Sequence, residues 1–146
     1  MPRPYPHFRE LTRAEAEEVL ARNHVGRLAF VDHEQVDIEP IHYVFANGAI
    51  HGRTAAGTKL HALAHQPWVA LETDEIEGLF NWRSVVVRGT VYKLDPALDE
   101  KDYAESVEII RGLVPEALAA EDPTPSRDIV FRIYLGEING RAADDR

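Results

Sequence analysis

Cysteine is absent from the 146 residues. Its absence removes disulfides, zinc ribbons, thiol nucleophiles and cysteinyl iron–sulfur ligation together. No stretch approaches the roughly 18 consecutive apolar residues of a membrane-spanning helix. The first residues lack the basic start and apolar run of a secretory leader, so the cytoplasm is the expected location. A positive balance is missing too, since 16 basic residues stand against 25 acidic ones, a net charge of −9. Nucleic acid and anionic membrane both require a basic footprint, and neither is expected as a partner. With 45% hydrophobic and 28% charged residues the composition is that of a folded globular chain, and residues 1–146 read as a single domain.

Acid is also missing locally. Between Pro40 and Leu71 there is no Asp or Glu, where an even spread would place about five. The same window holds Arg53, Lys59, four histidines (His42, His51, His61, His65) and the small-residue run Thr54-Ala55-Ala56-Gly57-Thr58. Two fixed cations among small residues suit an anion such as phosphate; a buried strand followed by a neutral helix would show the same gap. The surplus acid lies between Asp95 and Ser126, where nine acids face only Lys101 and Arg111. Their spacing turns them outward from a helix, which reads as a solvated face.

Residues 1–11 contain three prolines and no period, and read as an extended arm. Thr12-Arg13-Ala14-Glu15 is a capping box that opens a short helix to about Arg22. The period then changes to two. Strands are predicted over Val25–Val31, Gln35–Phe45, Ala49–Arg53, Trp68–Thr73, Trp82–Leu94 and Asp128–Ile138. Asn47-Gly48 is a hairpin signal, because both turn positions favour positive φ. Pro40 marks an edge or a break in pairing, and Gly89 a bulge. A helix is predicted over Gly57–His65 and a longer one over Asp99–Leu113. Asp74–Phe80 and Glu121–Ser126 read as loop and linker, and Asn139-Gly140 as the close of the last strand. Hairpins dominate and no regular βαβ alternation exists, so the fold class is mainly β with flanking helices, a six-stranded antiparallel barrel.

The segment Ile50-His51-Gly52-Arg53-Thr54-Ala55-Ala56-Gly57-Thr58-Lys59 is the first candidate for chemistry. A strand leads through small residues to a helix start, where unpaired N–H groups and the positive end of the macrodipole meet. Arg53 can hold phosphate through two parallel hydrogen bonds, and Lys59 adds a point charge. The order and spacing of a Walker loop or a dinucleotide glycine fingerprint are absent. In Asn81-Trp82-Arg83-Ser84-Val85-Val86-Val87, Trp82 and Ser84 share a strand face and could line a flat ring, although the segment by itself reads first as an ordinary core strand. His61 and His65 are a possible metal pair at i, i+4, but no third ligand is placed to complete a site and no metal is expected. His42 and His51 flank the Asn47-Gly48 hairpin and could contact a ligand or move a proton.

Together these stretches resemble the pyridoxamine 5′-phosphate oxidase-like, FMN-binding split-barrel superfamily, in particular its nitroimidazole-resistance-type, flavin-nucleotide-binding branch. The resemblance runs over about residues 10–142. It is carried by Val25-Gly26-Arg27-Leu28-Ala29-Phe30, Pro40-Ile41-His42-Tyr43, the His51–Lys59 segment, Trp82–Gly89 and Ile138-Asn139-Gly140-Arg141. It implies a six-stranded split barrel and a homodimer with FMN at the interface, with F420 or haem as the alternatives found among relatives. It implies that Pro40, Ile41 and His42 border the ring. His51, Gly52, Arg53 and Thr54 would follow the ribityl chain, and Thr58 and Lys59 would hold the phosphate. Trp82, Ser84 and Val85 would come from the long strand, with Arg141 reaching the site. The implied activity is electron transfer to a small oxidised substrate, a nitro compound among the options, with His42 or His51 as the functional histidine. A non-catalytic binding or sensing module on the same barrel is the competing reading. Thr58 stands where the oxidase itself carries arginine, which speaks against vitamin B6 oxidation.

Overall fold

The computed structural model describes residues 5–145. Strand β1 (His7–Glu10) precedes helix α1 (Arg13–Arg22). The helix starts where its capping box dictates: Thr12 Oγ1 accepts from the Glu15 N–H, and Glu15 Oε1 accepts from the Thr12 N–H at 3.0 Å. Strands β2 (Val25–Asp32) and β3 (Gln35–His42) form a hairpin, as do β4 (Val44–Ala46) and β5 (Ala49–Thr54). Asn47 and Gly48 turn the second hairpin with φ of 52° and 72°, the paired positive values its two-residue loop requires. Helix α2 (Thr58–His65), strands β6 (Trp68–Gly78) and β7 (Asn81–Lys93), helix α3 (Glu100–Arg111) and strand β8 (Ile129–Asp144) complete the chain.

All ladders are antiparallel, and the sheet runs β3-β2-β6-β7-β8-β5-β4, with β1 added to β8. Strands β3 and β4 are thus its two edges. They are also consecutive in the chain, joined at Tyr43, so the backbone ties the edges together where no ladder does. Pro40 sits on edge strand β3, where a missing N–H is tolerated.

Eight strands form among the described residues, not six. The predicted Gln35–Phe45 strand breaks at Tyr43 into β3 and β4, and part of the arm pairs with β8 as β1. Asp74–Phe80 is not a loop: β6 continues to Gly78 and pairs with β7 down to Asn81. Nor does Asn139-Gly140 end the last strand. Ladder partners on β7 hold it extended (Val86↔Asn139, Val85↔Gly140), and Leu11 N–H donates to the Gly140 carbonyl at 2.8 Å. Neighbours on both sides outweigh the local turn preference of that dipeptide. The register does shift at Arg88/Gly89, as a bulge requires.

The barrel interior holds Leu28, Phe30, Ile50, Leu71, Val85, Val87, Phe131 and Ile133, closed by Val19 and Leu20 of α1 and by Ala62 and Leu63 of α2. Each fully buried aliphatic side chain here contributes about 1.5–3 kcal/mol. Outside the barrel, Val107 and Ile110 of α3 pack on Val130 and Leu94. Alternation along β5 and β8 therefore sends Gly52, Thr54 and Phe131 inward, and His51, Arg53 and Arg132 outward towards α3.

Candidate functional site

The seam between the two sheet edges is where the predicted site residues begin to meet. Tyr43 anchors it. The residue is 1% exposed, and its hydroxyl donates to the Leu20 carbonyl at 2.8 Å. Burial pushes this phenol up to about 12, which keeps it a neutral donor. Beside Tyr43, a hollow of about 190 Å³ is lined by His42, Gly52 and Arg53, with Ile110, Leu113 and Thr124 on the opposite wall. His42 is exposed at the end of β3.

His51 also borders this hollow but is 1% exposed and committed elsewhere. Its Nδ1 lies 2.9 Å from Ser106 Oγ and its Nε2 3.0 Å from the Ala46 carbonyl. Arg132 Nε donates to the same Ser106 oxygen at 2.7 Å. Ser106 therefore spends its one proton on His51 Nδ1, and His51 must donate from Nε2 to the carbonyl. Burial pushes the imidazole below its ordinary value, and the Arg132 charge adds to that. His51 is thus a neutral ring with no nitrogen left for a ligand, and of the two histidines only His42 is open to one.

Contrary to the expectation of one shared phosphate cradle, Arg53 and Lys59 each meet a carboxylate of their own. Arg53 forms a two-bond ion pair with Asp122 and also donates to Thr124 Oγ1 at 2.9 Å. The Arg53 guanidinium holds the Asp122 carboxyl below the usual carboxylate range. Lys59 instead reaches back to Glu39 of β3, with 2.9 Å between Nζ and Oε2. The acid-free window is acid-free in sequence only, because folding delivers one carboxylate to each of its cations. Asp122 belongs to the acidic stretch read as solvated, yet it is 8% exposed. Nothing in its local sequence, Glu121-Asp122-Pro123, marks it as a clamp.

Gly52 faces Phe131 so closely that an added Cβ would stand 2.6 Å from the ring. Thr54 is buried against the interior, and the Thr58 side chain lies outside the described residues. Helix α2 begins at Gly57 with no side-chain cap, leaving its first N–H groups open to an anion.

The remaining predicted residues divide between the two faces of the sheet. Ile41 and Val85 point into the core, at 9% and 0% exposure, and their side chains cannot border a ligand. Pro40, His42, Trp82, Ser84 and Arg141 share the outer face by register. Within one chain, Pro40 and Trp82 are three strands apart, roughly 14 Å across the sheet, and four residues apart in register, roughly 13 Å along it. Ser84 Oγ donates to Glu72 Oε2 at 2.9 Å, and Arg27 bridges Glu72 and Asp74. Burial pushes the Glu72 carboxyl up, with Asp74 adding to the effect. Around this polar centre the face exposes Val36, Ile38, Trp68 and Ile76, each at least 65% open. Their period-two alternation is visible in the sequence.

No helix among the described residues is long and apolar enough to cross a membrane. The described residues also contain no group of three or more His, Asp or Glu that could hold a metal ion. A protein of Rhizobium meliloti (strain 1021), named only as uncharacterised, is 30% identical and aligns over 92% of this chain and 95% of its own. A FAD-binding protein from Mycobacterium smegmatis superposes with a TM-score of 0.69 at 27% identity, covering 92% of this chain and 98% of that one. A FAD-binding protein from Mesorhizobium loti shares the fold, with a TM-score of 0.76 at 24% identity and coverage of 94% and 98%. A sequence model of the pyridoxamine 5′-phosphate oxidase family matches residues 12–142. With that match running from the start of α1 to near the end of β8, the chain belongs to the pyridoxamine 5′-phosphate oxidase family of split barrels.

Proposed function

We propose that this protein is a homodimeric flavin-nucleotide-binding oxidoreductase that works at the seam between the β3 and β4 edges. The observation that carries the reading is local. The uncapped start of α2, with Lys59 beside it, opens just past the end of strand β5. Main-chain N–H groups of the first α2 turn would take the phosphate, and Lys59 would turn to it from Glu39. Pro40 and His42 would border the ring. The flavin, when bound, supplies the electron transfer, and the chain supplies position and charge. His42 is the side chain able to pass a proton at the seam.

Size and surface support the reading of two copies. A hollow of about 190 Å³ is smaller than an ordinary ligand pocket of roughly 300–1,000 Å³. The outer face leaves Val36, Ile38, Trp68 and Ile76 open together, the kind of apolar surface that marks an interaction site. A second copy docked on it would bring its own Trp82, Ser84 and Arg141 towards the first copy's Pro40 and His42. The substrate would be a small oxidised molecule, with nitroaromatics the first class to try.

Titration of the purified chain with FMN and with FAD tests this reading, followed by quenching of flavin fluorescence. Saturable quenching by one of them, weakened about tenfold or more in Lys59→Ala, is expected. The reduced complex should then be reoxidised by a nitroaromatic compound. Ile38→Glu should turn a dimer into a monomer on a sizing column and weaken flavin binding with it. A colourless protein that quenches neither flavin overturns the proposal.

A further inference from the structure

The acid-free stretch has a second use in the fold, away from the seam. Leu60, His61 and Ala64 lie on the face of α2 turned towards the end of β7, the side away from the Lys59–Glu39 pair. Between this face and β7 there is a hollow of about 460 Å³. Its wall is made by Leu60, Ala64, Pro67, Val91 and Phe131, with Thr54, His61, Tyr92 and Lys93 as its polar members. No carboxylate lines it, although the chain carries 25.

Two groups in that wall are under-used. Thr54 is 6% exposed, and among the described residues its hydroxyl makes one contact, 3.5 Å to the Ala55 carbonyl next to it. That is at the limit of a hydrogen bond. Lys93 enters no ion pair among the described residues, whereas Arg53 and Lys59 each hold a carboxylate. Asp95, two residues along, feels the Lys93 charge, but it gives Oδ1 to the Ala97 and Leu98 N–H groups. The hollow therefore combines an apolar, ring-bearing wall with an uncommitted ammonium and an uncommitted hydroxyl.

We propose that this hollow is a binding site for a flat organic anion, an aromatic carboxylate, separate from the seam. The apolar body lies against Leu60, Val91 and Phe131. The carboxylate takes the Lys93 ammonium, with Thr54 and His61 as further donors. The volume admits a bicyclic ring system and is within the ordinary range for small-molecule pockets. The absence of wall carboxylates removes the repulsion that most of this acidic surface would offer. The site does not depend on flavin binding.

The test uses 2-naphthoate as probe and the full chain labelled with ¹⁵N. Saturable shifts at Leu60–Ala64 and Val91–Lys93 are expected, larger than any at Thr58 and Lys59 where α2 begins. Lys93→Gln should weaken binding about tenfold, the order of one charge-assisted hydrogen bond. Neutral 2-naphthol should lose a similar factor, and Ala64→Trp, which fills an exposed position at the hollow, should abolish binding while FMN titration stays unchanged. Shifts centred on His42 and Gly52, equal affinity in Lys93→Gln, equal affinity for 2-naphthol, or no saturation at millimolar probe would each overturn the proposal. Loss of FMN binding with the naphthoate response intact would count against the flavin reading alone.

Discussion

Replacing Ser106 by alanine removes one oxygen from the centre of the His51–Arg132 pair. Ser106 is 0% exposed, so no water takes its place at the surface. Arg132 loses the acceptor of its Nε–H at 2.7 Å, and His51 Nδ1 loses its donor at 2.9 Å. A hydrogen bond from a charged donor contributes about 1.5–3 kcal/mol and one to a neutral acceptor about 0.5–1.5 kcal/mol, so the variant should be about 2–4.5 kcal/mol less stable. With a urea m-value of about 2 kcal/mol/M, the midpoint falls by about 1–2 M. Tryptophan fluorescence at pH 8 reads it directly. The parent protein should also show a pH signature. The folded His51 binds its proton less readily than the unfolded one, whose ordinary value is 6.5. The unfolded state therefore takes up more protons as pH falls below that value, and stability present above it declines. His51→Gln can donate to Ala46 and accept from Ser106, and should flatten that decline. Stability of Ser106→Ala within about 0.5 kcal/mol of the parent, a change typical of a neutral surface site, would refute the network. So would an unaltered pH slope in His51→Gln.

Other perturbations probe the seam. Gly52→Ala sets a methyl 2.6 Å from Phe131 Cζ, an overpacking cost of about 1–3 kcal/mol by thermal melting that Phe131→Leu should relieve. A fully stable Gly52→Ala would mean that the ring moves aside freely. Asp122→Asn frees Arg53 and loosens the segment between α3 and β8, where Asp122 also holds the Leu118 and Thr124 N–H groups. Trypsin should then cut after Arg127 faster than in the parent, and an equal rate would show that the clamp does not hold the segment.

Local chemistry was readable wherever neighbours in the chain decide the outcome. The Thr12–Glu15 cap, the Asn47-Gly48 turn, the Gly89 bulge and Pro40 at an edge all formed as their residue types require. Asn139-Gly140 carries the same turn preference as Asn47-Gly48 and yet runs straight, because β7 pairs with it and β1 pairs just beyond. The candidate site shows the same division. The window lacking acid pointed to a region with room for an anion, and the family resemblance named the strand and helix start that would hold it. It could not show that Arg53 meets Asp122 across 69 positions, that Lys59 meets Glu39, or that His51 gives both nitrogens to the interior. Charge pairing and burial are set by which surfaces folding presses together. By itself, the sequence determined the periods, turns and caps of this protein, along with its family. Only the tertiary structure decided which cations are already neutralised and which, like Lys93, hold no carboxylate among the described residues, because a charge is cancelled by its neighbour in space.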